Sequence, residues 1–402
     1  MTGRGVSAGW LLAHVPFVVL LALLIPVIWP QDGVGDTFRF WYAGHMVATG
    51  GSPYDQRAWA SAGDTYGIFA REMAIACAPS ANAPVCLWPY PPTTALLFVP
   101  FGSLGVRDGL NALAAFFVAL AAASVVVVGH WMRARSFATR ALAMCAGVVS
   151  HPFVFDVHAG HFEGLGVIGI VLVAVGLTGR RVAPVVAGAL LLGVKPHLYA
   201  GLAVIVLALL VVRRDWRTLG WTSGAVVAVN GLALLLYPEA LGAMIGRAGQ
   251  VFGLGWATTW AFASSILPSA TVGTVIVYAI AAVAYLTAVR FTPTERRVDV
   301  LVSGGAAVAL TVSPYVQPYD LLVLFPAFGV GLALQERVGQ PARSILWIAA
   351  AGTLAVGTWL AIIGTRVVPG LPGALPVVFL VLLGIAALAA RRPSAAGGLQ
   401  ES

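Results

Sequence analysis

The chain has 402 residues, of which 59% are hydrophobic and 9% are charged. A soluble protein of this length cannot bury so much apolar surface, whereas a helical membrane bundle exposes apolar side chains to lipid. The excess of 23 Lys and Arg over 15 Asp and Glu is explained by cytoplasmic anchoring of membrane helices, so no nucleic-acid partner is expected. The composition therefore predicts an all-α polytopic membrane protein that forms one transmembrane domain over residues 1–402.

The first apolar run, residues 9–29, is long enough to cross a bilayer and lacks a small-residue cleavage site, so we expect a retained helix. The stretch "QDGVGDTFRFWYAG" follows it and places Asp32, Asp36 and Arg39 just beyond the membrane. The outer segment 30–91 is the longest stretch that is not predicted to cross. Its aromatic residues at helical spacing suit the lipid headgroup layer.

Two cysteines in the same outer segment, Cys77 and Cys86, bracket the short sequence "APSANAPV". On the oxidising side of a membrane, cysteines that close so short a loop are predicted to form a disulfide. The alternative is that they are two unrelated small residues. Cys145 lies inside an apolar run and is predicted to be a packing residue rather than a reactive thiol.

Twelve apolar runs predict twelve crossings. They are residues 9–29, 109–131, 137–156, 162–178, 182–195, 197–212, 218–237, 269–289, 298–313, 320–335, 344–364 and 371–390. A thirteenth segment, 91–105, contains prolines and is shorter than the roughly 20 residues that a spanning helix needs. We therefore predict that 91–105 is re-entrant or lies at the membrane interface.

The distribution of arginine supports this topology. With the N-terminus inside and 91–105 not crossing, sixteen of the 23 basic residues face the cytoplasm, and 391–402 is a cytoplasmic tail. If 91–105 crossed, nearly all of these residues would face outward, against the positive-inside rule. The same topology places ten of the fifteen acidic residues on or near the outer face. The predicted functional face is therefore extracytoplasmic.

Lys195, in the outer loop "VKPH", is the only lysine in the chain. A lysine at the outer end of a membrane helix can simply extend its ammonium to the headgroups. The alternative is that Lys195, with His197 beside it, binds a phosphate at headgroup depth.

The outer loop "HAGHFEG" offers two imidazoles and a carboxylate. His158, His161 and Glu163 lie in one short turn without a recognised metal-ligand spacing. We therefore predict no metal here, and instead polar contacts from this loop to a hydroxylated ligand.

The loop "SPYVQPYD" combines two tyrosines, a glutamine and Asp320 with two prolines at the start of a predicted helix. Asp320 can be read as an N-terminal acid that the helix dipole stabilises. Alternatively, the proline-kinked backbone presents Tyr315, Gln317 and Tyr319 to an outer cavity.

Five motifs in this order and spacing resemble glycosyltransferase family 87, a group of GT-C membrane glycosyltransferases. They are "GDTFRFWYAGHMVATGGSPYD", "WPYPPTTALLFVPFGSL", "GHFEGLGVIGIVL", "GALLLGVKPHLYAGLAVIVL" and "TVSPYVQPYDLLVLFPAF". The resemblance extends over about residues 10–335. The family includes polyprenyl-phosphate-mannose-dependent mannosyltransferases. It implies a GT-C fold in the plasma membrane, with its active site on the extracytoplasmic face and without a cofactor.

The resemblance also implies a lipid-phosphate sugar donor, a lipid or glycan acceptor, and a catalytic aspartate in the loop after the first helix. Asp36 matches that position and Asp32 does not. Arg39, Lys195 and His197 are the predicted ligands of the donor phosphate. The predicted sugar and acceptor contacts are His161, Glu163, Tyr54, Tyr90, Tyr315, Gln317, Tyr319 and Asp320.

Two departures from the family pattern leave the donor sugar and the acceptor open. The family often has Gln-Asn where this chain has His161 and Phe162, and an aromatic-acid pair where this chain has Gln317 and Pro318. The alternatives are the same fold with another donor, such as polyprenyl-phosphate arabinose, or a secondary transporter. A transporter predicts charges at mid-membrane and related halves, and the sequence shows neither clearly.

Overall fold

The computed structural model describes residues 8–29, 36–67, 88–134, 136–251, 257–339 and 342–391. In these ranges the chain forms helices and no strand, which confirms the prediction of an all-α protein. Asp32, the predicted disulfide partners Cys77 and Cys86, and nearly all of the predicted tail 391–402 lie outside the described residues.

The first half of the chain contains ten of the described helices. They are α1 (Ala8–Ile28), α2 (Thr37–Ala48), α3 (Gln56–Tyr66), α4 (Pro92–Leu97), α5 (Val99–Gly102), α6 (Val106–Trp131), α7 (Phe137–Val149), α8 (His151–His158), α9 (Glu163–Gly179) and α10 (Val182–Leu192). Each predicted apolar run in this half coincides with a helix or, for 137–156, with the pair α7 and α8.

The second half adds α11 (Pro196–Val212), α12 (Trp216–Leu236), α13 (Glu239–Val251), α14 (Thr259–Ile266), α15 (Ala270–Phe291), α16 (Arg297–Val312), α17 (Phe325–Gln335), α18 (Ala342–Gly352), α19 (Thr358–Ile363) and α20 (Leu375–Arg391). A 3-10 helix, Pro318–Leu324, leads into α17, and a π-helix, Thr353–Gly357, joins α18 to α19. Shorter 3-10 helices occupy Thr294–Arg296, Gly364–Arg366 and Leu371–Ala374.

Six of the described helical segments are long and apolar enough to cross a membrane, or seven if α7 and α8, bent by 49°, form one span. Four shorter apolar helices coincide with further predicted runs. The chain is thus a polytopic membrane protein, whereas the count of twelve crossings stays a prediction. Three of the other predicted runs form helices of 17, 11 and 17 residues, shorter than the roughly 20 residues that a spanning helix needs.

Many large apolar side chains lie exposed on the outer surface of the helix bundle. Val27 of α1 is 71% exposed, Val227 of α12 is 70% exposed and Val283 of α15 is 65% exposed. Surface of this kind is stable in lipid and unstable in water. In contrast, the segment Pro318–Gln335 is wholly buried and forms the centre of the bundle.

The hairpin of α9 and α10 brings distant polar residues to one end of the bundle. The two helices pack tightly because Gly169 and Gly188 lie opposite each other, where a Cβ on either would meet the other's carbonyl oxygen. Since the helices run antiparallel, Glu163 at the start of α9 lies beside Lys195, which follows α10. The buried 3-10 helix Pro318–Leu324 packs against α8, α9 and α16 and carries Asp320 to the same end.

The segment 91–105 does not form a spanning helix, as predicted, but folds into the short helices α4 and α5 against α2. Close packing depends on Gly44, which lies against the Phe98 carbonyl, and on Gly102, which lies against the His45 backbone. Buried aromatic rings fill the space between these elements. This packing fixes α2, whose first turn carries the candidate catalytic residue.

Candidate active site

Asp36 stands at the N-terminal end of α2 but does not cap that helix. Its side chain accepts no hydrogen bond from the helix backbone, although a carboxylate at this position commonly does so. Its backbone N–H donates to the Ala159 carbonyl at 2.7 Å. This bond ties α2 to the loop between α8 and α9, and the carboxylate is left to other partners.

Those partners hold the Asp36 carboxylate from two sides. Arg39, one helical turn later, places Nη1 2.7 Å from Oδ1, and His161 places Nε2 2.7 Å from Oδ2. The side chain of Asp36 is 22% exposed and that of Arg39 is 15% exposed, whereas His161 is fully buried. The carboxylate is therefore fixed in orientation and still reachable from outside the protein.

The surroundings of Asp36 favour its ionised form. Burial raises the pKa of the carboxyl, but Arg39, then His161 and Lys195, outweigh burial and hold the pKa of Asp36 well below its usual range. Burial and the neighbouring Lys195 lower the pKa of His161, against the opposing effect of Asp36. At neutral pH the pair is thus an aspartate beside a neutral imidazole.

The ammonium of Lys195 is enclosed in the protein, with 2% of the residue exposed. It donates hydrogen bonds to the carboxylates of Glu163 and Asp320, the latter at 3.1 Å. It also lies 3.5 Å from Nδ1 of His161 and 4.9 Å from the ring centre of Tyr319. Burial alone lowers the pKa of Lys195, but Asp320 and Glu163 raise it well above its usual value, so the side chain is a buried cation.

A further set of hydrogen bonds holds the partners of Lys195 in place. The Tyr199 hydroxyl donates to Glu163 at 3.3 Å, and the Gln317 backbone N–H donates to Asp320 at 2.7 Å. The Glu163 backbone N–H donates to Oδ1 of the buried Asp156 at 3.1 Å. Sequence reasoning missed Asp156 and Tyr199 as site residues. The signal for Asp156 was an acid at the end of an apolar run, which is rare without a function.

Several predicted sugar or acceptor contacts lie around this core. The Tyr319 ring stacks on His161, with ring centres 3.5 Å apart, and the Tyr90 ring centre lies 5.7 Å from the Lys195 ammonium. The Gln317 amide donates to the Tyr315 hydroxyl at 3.1 Å, and both side chains are partly exposed. Their contacts to a ligand stay predictions.

Two other predicted site residues, Tyr54 and His197, lie outside the hydrogen-bonded cluster around Lys195. Tyr54 is buried among aromatic rings, and its hydroxyl donates to the Tyr90 carbonyl at 2.7 Å, so it supports Tyr90. His197 is exposed on the first turn of α11 and places its ring edge-on against Tyr315, with ring centres 6.0 Å apart. Within the described ranges, no group of three or more His, Cys, Asp or Glu side chains has the arrangement of a metal site.

The architecture and the site together describe a helical membrane protein with a charged cluster at one end of its bundle. A sequence model of glycosyltransferase family 87 matches residues 88–314, more than half of the chain. The chain belongs to glycosyltransferase family 87 and is therefore a membrane glycosyltransferase. The match includes His161, Glu163 and Lys195, but it begins after Asp36 and ends before Asp320. No curated protein and no solved structure matches the chain.

Proposed function

We propose that this glycosyltransferase transfers a sugar, expected to be mannose, from a polyprenyl-phosphate donor to a hydroxyl of a lipid or glycan acceptor on the extracytoplasmic face of the plasma membrane. The observation that carries the proposal is Asp36, an ionised and partly exposed carboxylate fixed by Arg39 and His161. The arginine distribution supports the orientation, and the resemblance of the five motifs supports the donor class.

Asp36 is the proposed general base. The acceptor hydroxyl oxygen forms a bond to the anomeric carbon of the sugar, while the bond from that carbon to the phosphate oxygen breaks on the opposite side. The hydroxyl proton passes to Asp36, and polyprenyl phosphate leaves with the bonding electrons. A base within hydrogen-bond reach accelerates such a step by roughly 10²–10⁴-fold.

Arg39 is the proposed ligand of the donor phosphate at the point of reaction. It is the cation next to Asp36, and a guanidinium binds phosphate oxygens in pairs. A phosphate that attracts Arg39 weakens the hold of Arg39 on Asp36 and thereby raises the basicity of Asp36. Donor binding would thus activate the base, and the same guanidinium would stabilise the negative charge on the leaving phosphate.

The side chains around this pair are the proposed sugar contacts. Tyr315 and Gln317 offer partly exposed polar groups, and Tyr90 and Tyr319 offer ring faces beside Lys195. Aromatic faces and hydroxyls suit a sugar ring, which has both apolar faces and polar edges. Direct contact between Lys195 and the phosphate, predicted from the sequence, remains a prediction. The Lys195 ammonium already has two carboxylate partners, so we assign the phosphate to Arg39.

The test is transfer by the purified protein. Radiolabelled polyprenyl-phosphate mannose, glucose and arabinose are incubated with candidate lipid acceptors in detergent or nanodiscs, and the products are separated by chromatography. We expect transfer from the mannosyl donor by the wild type, none by Asp36→Asn, and wild-type transfer by Asp64→Asn. Asp64 is the matched control because it is an exposed aspartate in the next helix, α3. Equal transfer by Asp36→Asn and the wild type would exclude Asp36 as the base.

A further inference from the structure

We propose that Lys195 is a positioning residue, whose buried ammonium holds His161 as the neutral Nε2–H tautomer so that His161 orients Asp36 by hydrogen bonding. The inference rests on the proposed function for the role of Asp36. Its physical part, the tautomer of His161, is independent of any reaction.

The hydrogen-bonding capacities of the three groups determine the tautomer. An ammonium has three donors and no acceptor, and an ionised carboxylate accepts only. Nδ1 of His161 faces the ammonium at 3.5 Å, so it carries a lone pair, and Nε2 faces the carboxylate of Asp36 at 2.7 Å, so it carries the proton. His161 therefore accepts on its inner side and donates on its outer side.

The protein holds Lys195 rigidly in the position that this requires. Glu163 and Asp320 approach its ammonium from α9 and from the 3-10 helix, and each carboxylate has a second donor, from Tyr199 and from the Gln317 backbone respectively. A buried ammonium with two such partners stays charged. The charge therefore acts on His161 throughout the neutral pH range.

The other groups around His161 do not replace this effect. Phe40 from α2 and Phe162 from its own loop contribute uncharged rings, and Tyr319 stacks on the imidazole. The carboxylates of Asp36 and Asp320 both favour a protonated imidazole. Burial of the imidazole is the largest influence that opposes them, and Lys195 is the nearby charge that does so. Removal of Lys195 should therefore raise the pKa of His161 toward the range where imidazole ordinarily titrates.

A doubly protonated His161 would form an ion pair with Asp36 and lower its basicity. The expected signature is a new acid limb in the pH profile of kcat/KM, falling by at most about tenfold for each pH unit below the pKa of His161. In contrast, a lysine that contacts the donor phosphate would change the KM for the donor at every pH. A lysine with only a structural role would lower the melting temperature and leave the shape of the profile unchanged.

The test variant is Lys195→Met combined with Glu163→Gln, which removes one positive and one negative buried charge and so limits the folding cost of either change alone. Its matched control is Glu163→Gln, which keeps the lysine and Asp320. Over about pH 5–8 we expect no acid limb due to His161 in the wild type and the control, and such a limb in the double variant. Adding His161→Asn to the double variant should remove that limb.

A second measurement keeps the inference testable without turnover. Nitrogen-15 NMR of histidine-labelled wild-type protein should show the Nε2–H tautomer of His161 across the same pH range. The signal of His161 is identified as the one that disappears in His161→Asn. In the double variant the His161 signal should titrate. A cationic or Nδ1–H His161 in the wild type, or equal titration in both proteins, would overturn the inference. If the protein transfers none of the tested sugars, these spectra still decide the tautomer, so the two failures are distinguishable.

Discussion

Asp36 and His161 lie 125 residues apart in the chain and share a 2.7 Å hydrogen bond at the end of the bundle. The bond joins the first turn of α2 to the loop between α8 and α9. Through this bond a fully buried imidazole orients a partly exposed carboxylate. If Asp36 is the base, as proposed, a carboxylate held in this way needs little reorganisation to receive a proton from a bound acceptor.

Arg39→Gln should move the acid limb of kcat/KM to higher pH. Burial raises the pKa of Asp36, and Arg39 is the largest of the influences that lower it. Without Arg39, the carboxylate binds a proton at a higher pH, so activity that depends on ionised Asp36 is lost earlier as the pH falls.

The measurement is the pH profile of kcat/KM for Arg39→Gln beside Arg57→Gln. Arg57 is an exposed arginine on α3 and serves as the matched control. The KM for the donor should also rise for Arg39→Gln alone, because the proposed phosphate ligand is gone. An unchanged acid limb in Arg39→Gln would contradict the electrostatic account of Asp36.

Gly160→Ala should destabilise the site and reduce transfer. Gly160 has φ +70°, and a Cβ at this position would collide with the side chain of Thr37, the first residue of α2. Displacement of α2 would break the bond between the Asp36 N–H and the Ala159 carbonyl. We expect a loss of about 1–3 kcal/mol in stability and a larger loss in kcat.

Gly50→Ala is the matched control for Gly160→Ala, measured by thermal unfolding and transfer. Gly50 has φ +80°, but a Cβ there has no atom within 4 Å. It should show the backbone cost alone, about 1 kcal/mol, with normal transfer. Equal effects of the two substitutions would show that contact with Thr37 does not position α2.

Lys195 should resist reductive methylation in the folded protein. It is the only lysine in the chain and is 2% exposed, and its ammonium is paired with Glu163 and Asp320. Mass spectrometry of a tryptic or chymotryptic fragment containing residue 195 should show an unmodified side chain until the protein unfolds. The variant Arg57→Lys supplies an exposed lysine that should react at once. Rapid methylation at both positions would rule out a buried Lys195.

Asp299→Ala should lower the melting temperature without changing the chemistry of Asp36. Asp299 is 1% exposed and pairs with Arg133 at 3.2 Å and with Arg296 at 3.3 Å, at the opposite ends of α6 and α16 from the site. Removal of the Asp299 carboxylate leaves both arginines without this ion-pair partner. We expect the free energy of unfolding to fall by about 1–3 kcal/mol.

Glu295→Ala is the control for Asp299→Ala, because Glu295 pairs with Arg337 at 2.6 Å while 59% of its side chain is exposed. An exposed pair contributes about 0–1 kcal/mol, so its melting temperature should stay near that of the wild type. A similar shift for both variants would argue against a buried anchor at Asp299. Their pH profiles of transfer should match that of the wild type.

Much of the candidate site was predictable because polar residues in apolar surroundings are rare. His161, Glu163, Lys195 and Asp320 stood out for that reason, whereas Asp36 was preferred to Asp32 by its match to the family position. The structure brings all five into one connected cluster. Their roles in catalysis stay predictions. The charged groups meet because antiparallel helices return the chain to the same end of the bundle, which the alternation of apolar runs and short loops already indicates.

Other features depend on contacts between distant segments. The pairing of Lys195 with two carboxylates and the burial of Asp156 follow from how α8, α9, α11 and the 3-10 helix pack, and no local pattern encodes them. The bond from the Tyr54 hydroxyl to the Tyr90 carbonyl likewise depends on packing between two segments 36 residues apart. The same holds for the choice between one long span and two bent helices in residues 137–158.

The amino-acid sequence by itself determined the all-helical membrane architecture and indicated which end of the helices carries the functional residues. Both follow from the length of apolar runs and the spacing of charges, which are local properties. Only the tertiary structure decided which charge faces which partner. The hydrogen bonds and ion pairs of the cluster depend on separations of a few ångströms between residues up to 125 positions apart, and close packing of the helices sets those separations.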